Sequence, residues 1–171
     1  MTKNEIKMKD ITQFNIITLN NLVKLISPLD KIYAQKNIHL NNETIGKHVR
    51  HIIDFYLCFI NGIKIKFIDY DKRERNKKVE NDKEYAIKTI SVIINLLKNS
   101  YLNTPITINL NLSITKSSLN SSIERELMYI VDHAIHHGHI IQLFIKNHYP
   151  NDYNNIEFYS PSTLDHAQCV K

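Results

Sequence analysis

The stretch Ser121-Ser122-Ile123-Glu124-Arg125-Glu126-Leu127-Met128-Tyr129-Ile130-Val131-Asp132-His133-Ala134-Ile135-His136-His137-Gly138-His139 decides the fold of this chain. Ile123, Leu127, Ile130, Ala134 and His137 recur at steps of three and four, and Ile141 and Ile145 extend the series. That is the period of one face of an α-helix. Its opening reads as a capping box, with Ser121 and Glu124 reciprocally satisfying free backbone amides. A helix with one apolar face must bury it against other elements.

Three further stretches supply such partners. Residues 10–27 carry Leu19, Leu22, Val23 and Ile26 on one face, and Pro28 ends the helix. A second helix starts near Asn42 or Glu43, places Ile45, Val49, Ile52, Ile53, Tyr56 and Ile60 on one stripe, and closes at Asn61-Gly62. A third runs over residues 82–99, with Ala86, Ile90, Ile93 and Leu97 aligned. Between the third and fourth helices the period drops to two. Ile106, Ile108, Leu110, Leu112 and Ile114 alternate with polar residues, a half-buried strand pattern. Gly62-Ile63-Lys64-Ile65-Lys66-Phe67 alternates more weakly, and the chain after Pro150 is polar and irregular. The expected fold is all-α: an antiparallel four-helix bundle with a small β insertion between helices three and four, in one domain over residues 1–171.

Composition agrees and removes whole classes of function. The chain has 171 residues, 43% hydrophobic and 23% charged, enough for one core. No apolar run approaches the ~20 residues of a membrane span. Met1-Thr2-Lys3-Asn4-Glu5 lacks the apolar stretch of a secretory signal, so a cytoplasmic protein is expected. Gly46, Gly62 and Gly138 are too scattered for a dinucleotide fingerprint or a P-loop. Cys58 and Cys169 form no disulfide framework, and Cys58 reads as a buried free thiol. The net charge of +5 accompanies an Ile-, Asn- and Lys-rich bias rather than a basic patch. The most basic run, residues 72–78, is broken by Glu74 and reads as a solvated loop, so neither nucleic acid nor membrane is an expected partner.

Histidine is the residue with chemistry to offer. Of the nine in the chain, His133, His136, His137 and His139 lie within one stretch of the fourth helix. On a helical wheel His137 falls in the apolar stripe and His133 at its edge, while His136 and His139 point to solvent. His133 and His137 are i and i+4, the spacing by which one helix gives two imidazoles to one metal. Ala134 stands where a zincin protease has its glutamate, so that class fails. A frame shifted to His136 would leave Asp132 as its i−4 partner, and the wheel disfavours it. A third ligand must come from another helix. In the second, periodicity favours His48, whereas His51 has Asp54 one turn away to orient it. Spacing leaves both open.

These residues resemble the DinB/YfiT-like superfamily, four-helix bundles, commonly dimeric, that hold a divalent metal with three histidines. Thr44-Ile45-Gly46-Lys47-His48-Val49-Arg50-His51-Ile52-Ile53-Asp54 is similar to its second-helix signature. Asp69-Tyr70-Asp71-Lys72-Arg73-Glu74-Arg75 is similar to the Y-D-x-R-x-R loop of one branch. Arg125-Glu126-Leu127 with His133-Ala134-Ile135-His136-His137 resembles that branch's last-helix signature, and Ser160-Pro161-Ser162-Thr163-Leu164 its tail. The likeness spans roughly residues 10–165. It departs after the last histidine, where Gly138-His139-Ile140 replaces the R-G-Q or L-R-Q of many relatives.

The resemblance implies His51, His133 and His137 as ligands of Zn, Ni or Fe, and a likeness to homodimers. It further implies activation of water or a low-molecular-weight thiol towards a small-molecule substrate, as in a metal-dependent hydrolase or thiol-dependent transferase. In that reading Arg73 or Arg75 steadies an anionic co-substrate, and Asp54 or Glu126 is the acid/base candidate. Arg50 and Arg125 read equally well as helix-surface ion pairs. The alternative is a non-enzymatic dimeric bundle with a structural or sensory metal. A solvent-open metal beside a carboxylate would favour the enzyme.

Overall fold

The computed structural model describes residues 3–99, 107–112 and 117–160. Cys169, Ile106, Ile114 and the tail stretch from Pro161 to Leu164 lie outside them. The described chain is mostly helical: α1 (Lys3–Ile26), α2 (Ile45–Ile65), α3 (Lys77–Asn81), α4 (Lys83–Asn99) and α5 (Ile123–His148). Strands β1 (Phe67–Ile68), β2 (Thr107–Leu112) and β3 (Ser117–Ser122) form one sheet in that order. β1 pairs parallel with β2, and β2 antiparallel with β3, with Ile108 opposite Ser121. None of the described helices is long and apolar enough to cross a membrane.

The stripes read from the sequence form the core. Leu19, Leu22 and Ile26 of α1, Val49, Ile52, Ile53 and Tyr56 of α2, Ile90 and Ile93 of α4, and Leu127, Ile130, Ile141 and Ile145 of α5 are all buried in one cluster. Each such side chain stabilises the fold by about 1.5–3 kcal/mol relative to exposure. α1 packs on α4 and α5, and α2 packs on the same two helices. Asn15 of α1 crosses the core: its Nδ2 donates to the Leu127 carbonyl at 3.3 Å, and its Oδ1 accepts from Tyr56 Oη at 2.8 Å.

Several boundaries differ from the sequence reading. α1 begins at Lys3 rather than at residue 10, because residues 4–9 are rich in the good helix formers Glu, Lys and Met. α2 does not stop at Gly62. It runs to Ile65, and Lys66 closes it in the left-handed conformation, donating its N–H to the Gly62 carbonyl. Gly62 is there for a close approach: a Cβ would lie 2.4 Å from Ile68 Cγ1 and 2.7 Å from the Phe67 carbonyl oxygen. Only Phe67–Ile68 of the weakly alternating stretch is therefore strand.

The helix cap lies one residue later than the sequence suggests. The Ser121 hydroxyl donates to Glu126 Oε1, and Ser122, the last residue of β3, is the cap, its Oγ accepting from the Arg125 N–H at 3.3 Å. α3 and β3 are additional to the sequence reading. The polar stretch after Pro150 also contributes to the core, through Phe158.

Candidate metal centre

α2 and α5 pack together, and the site lies between them. His133 and His137 project from α5 one turn apart, and α2 brings His51 against both. The ring centroids of His51 lie 4.8 Å from His133 and 4.5 Å from His137, and those of His133 and His137 lie 4.8 Å apart. One ring nitrogen of each falls within 4.8 Å of the other two, so these three histidines could hold a metal ion. All three side chains are half-buried. Burial, reinforced by His133, holds His51 down to about 4, and burial likewise holds His133 at about 4. Burial with the neighbouring His51 and His133 takes His137 to about 3. Neutral imidazoles, the form that ligates metal, are therefore present throughout the physiological range.

His48 stands one step outside the triad. Its Nδ1 is 3.0 Å from His137 Nδ1, and its Nε2 is 3.9 Å from Glu43 Oε2. The sequence leaves His48 and His51 open as ligands, because periodicity favours His48 and the neighbouring Asp54 favours His51. The structure gathers His51 with His133 and His137, and puts His48 behind His137. His136 is exposed as expected, but His139 is half-buried with its Nδ1 3.3 Å from Gln142 Oε1. Gly138, where the chain departs from the family pattern, admits the Phe158 ring, which a Cβ would meet at 2.4 Å.

An aromatic layer closes one side, and the sequence reading did not find it. Phe55 follows His51 by one turn and Tyr129 precedes His133 by one turn, so the helical period puts both beside the triad. Phe55 stacks on His133 at 4.2 Å and on Tyr70 at 4.9 Å. Tyr129 stacks on His133 at 6.1 Å. Arg73 lies over the Phe55 ring at 4.5 Å, donates from Nη1 to the Tyr70 carbonyl, and places Nη2 3.0 Å from His51 Nδ1. Of the basic run, Lys72, Glu74, Arg75, Lys77 and Lys78 are exposed, while Arg73 turns inward.

The two acid/base candidates are engaged elsewhere. Asp54 pairs with Arg50 at 3.6 Å and accepts the Asn76 backbone N–H, and burial still raises its pKa. Glu126 is 1% exposed, and its two oxygens accept from the hydroxyls of Tyr70 and Ser121. Arg50 is no surface residue: it is buried between Asp54 and Glu80, 2.8 Å from the latter. Arg125 lies over the Tyr129 ring at 5.5 Å. Cys58 is a half-buried free thiol whose pKa burial raises, the opposite of an activated nucleophile.

One atom tests whether the donor set fits a metal. His133 Nε2 is buried and has no hydrogen-bond partner among the described residues. A buried ring nitrogen left without a partner is costly unless something ligates it. Three neutral imidazoles suit a borderline-soft divalent ion, so the donor set fits one. No family model matches the chain, nor does any curated protein or solved structure.

Proposed function

We propose that this chain is a divalent-metal protein of the DinB/YfiT-like kind, with His51, His133 and His137 holding Zn, Ni or Fe(II). The observation that carries the reading is the unpartnered His133 Nε2 beside two further neutral imidazoles. The reading takes α1, α2, α4 and α5 as an antiparallel four-helix bundle, cytoplasmic and homodimeric like the family it resembles. A divalent ion bound there supplies Lewis acidity, lowering the pKa of a water or a low-molecular-weight thiol at an open position.

The protein's own groups divide the remaining tasks. His48 accepts the Nδ1 proton of His137 and fixes that ring with its other nitrogen free for the ion. Phe55, Tyr70 and Tyr129 keep water from one side of the triad. Arg73 supplies positive charge for an anionic small-molecule substrate. The reaction is then a metal-dependent hydrolysis or thiol transfer.

A second reading has its own support. Asp54 and Glu126 are both held by other groups, so neither of these two candidates stands free to move a proton at the triad. That favours a structural or sensory metal in a non-enzymatic bundle. Elemental analysis of protein purified without chelator tests the shared claim, with about one divalent ion per chain expected. No stoichiometric metal, together with no rise in melting temperature on adding Zn or Ni, overturns it. A panel of thiols and electrophiles with the loaded protein then separates enzyme from non-enzyme.

A further inference from the structure

The two Nδ1 contacts of the triad have opposite consequences for metal loading. At His137 the partner is another imidazole, which can accept: His137 can donate from Nδ1 to His48 Nδ1 and keep Nε2 free for an ion. At His51 the partner is Arg73 Nη2, and a guanidinium has only N–H donors. His51 Nδ1 must therefore accept, which puts the ring proton on Nε2.

That arrangement is incompatible with ligation by His51 through either nitrogen. If Nδ1 binds the ion, its lone pair is no longer available to Arg73. If Nε2 binds the ion, the ring proton moves to Nδ1 and faces the Nη2 donor. The contact breaks in both cases.

Arg73 is built to use what it loses. Its Nε is buried and has no partner among the described residues, while Nη1 stays on the Tyr70 carbonyl and the guanidinium stays on Phe55. Nε and Nη2 form one edge of the planar fork, and paired N–H groups of that kind match the two oxygens of a carboxylate. Arg73 also lines a cavity of about 400 Å³, with room for a small organic acid, whose wall carries Lys72 and the carboxylates Asp54, Asp69 and Glu74. Asp54 is the internal competitor for the freed edge, and Arg50 and the Asn76 N–H already engage it.

The geometry points to Arg73 as a metal-coupled carboxylate receptor: loading His51 releases its Nε–Nη2 edge, which then binds the carboxylate of a small-molecule ligand. Resting on the metal reading above, this names the substrate class of that site and makes metal and acid bind cooperatively.

The test measures Zn affinity of the full chain by competition with a chromophoric chelator, at constant pH and ionic strength, in chloride or in acetate. Arg73→Gln removes the group that holds His51 Nδ1, and Arg73→Lys keeps the charge while losing the paired donors. Without acetate, Arg73→Gln is expected to bind Zn roughly tenfold more tightly, the scale of one charge-assisted hydrogen bond. Acetate is expected to tighten Zn binding in the wild type and to do so less in both variants.

Imidazole 15N shifts supply a readout independent of affinity. In the metal-free wild type the His51 proton should be on Nε2, and in Arg73→Gln that preference should disappear. Zn affinity unchanged or weaker in Arg73→Gln overturns the coupling. An acetate effect equal in all three proteins means acetate sits on the metal alone, and overturns the receptor. Asp54→Asn removes the competitor and should enlarge the acetate effect; loss of the effect in that variant overturns the receptor. Absence of Zn binding by the wild type overturns the metal reading and this inference together, whereas intact binding with no Arg73 effect overturns this inference alone.

Discussion

The Nδ1 atoms of His48 and His137 face one another at 3.0 Å, so one ring must donate and the other accept. With Glu43 Oε2 3.9 Å from the far nitrogen of His48, the chain runs from carboxylate to imidazole to imidazole. On the metal reading the Glu43 carboxylate favours a proton on His48 Nε2, so that His48 Nδ1 accepts from His137 and His137 Nε2 keeps its lone pair. His48 is thus a positioning residue.

His48→Ala should weaken metal binding by about 10–100-fold, the range for groups that orient a ligand. His51→Ala, His133→Ala and His137→Ala should each abolish stoichiometric binding. Chelator competition measures all four. Loss in His48→Ala as complete as in His51→Ala would place His48 on the metal instead.

Acid should destabilise the metal-free protein in a defined window. The folded-state values of about 4, 4 and 3 for His51, His133 and His137 lie below the ~6.5 of an unfolded chain. Between these limits the unfolded chain binds protons that the folded chain refuses, so stability rises with pH from about 4 to 6.5 and is level above. The melting temperature of chelated protein should follow that course, with a shallower slope in His137→Gln. For the same reason, metal occupancy should persist below the ordinary histidine range and fall steeply nearer pH 4 to 5. Occupancy lost already near pH 6.5 would show that the triad titrates as free imidazole.

Glu126 offers a separation of stability from chemistry. Tyr70→Phe removes one of its two hydroxyl donors and leaves a buried carboxylate half satisfied, which should cost about 1–3 kcal/mol in denaturant melts. Metal affinity should change little, since Tyr70 and Glu126 hold each other rather than the triad. A large loss of metal with unaltered stability would return Glu126 to the site.

Chelation should leave the helices standing. The core of α1, α2, α4 and α5 is buried without reference to the triad, so helical circular dichroism should survive metal removal. The melting temperature should fall by an amount that depends on free metal concentration. Unfolding in step with metal loss would make the ion a structural one.

Gly138→Ala tests the seam between α5 and the chain after it. The added methyl meets the Phe158 ring at 2.4 Å, and overpacking of this kind costs about 1–3 kcal/mol. Because Phe158 N–H also donates to Gln142 Oε1 at 3.1 Å, its displacement should be visible as faster amide exchange there.

Much of this was legible in the sequence because apolar spacing is read along one helix at a time. The stripes of Leu19, Val49, Ile90 and Leu127 and the i, i+4 pair His133 and His137 needed nothing else. Features that depend on a neighbouring element were not legible. Ser121 looks like a helix cap until, from β3, its hydroxyl is seen to donate to Glu126, and Gly62 looks like a helix end until Ile68 is seen to need the space. β3 itself, Ser-Ser-Leu-Asn-Ser-Ser, has one apolar residue, Leu119, and that residue is 52% exposed. Arg73 lies in a run whose other charges are solvated, and only the Phe55 ring and the Tyr70 carbonyl explain why it turns in.

The hydrogen bonds of Asn15 have a mechanical meaning. Tyr56 is little more than one turn beyond His51 on α2, and Leu127 less than two turns before His133 on α5. Asn15 clamps both, so it fixes the axial offset of the two helices that carry the triad. A slip of one turn, about 5.4 Å, would keep apolar faces in contact and still carry His51 past both its partners. Greasy stripes tolerate such sliding; a buried amide with named addresses on two other helices forbids it.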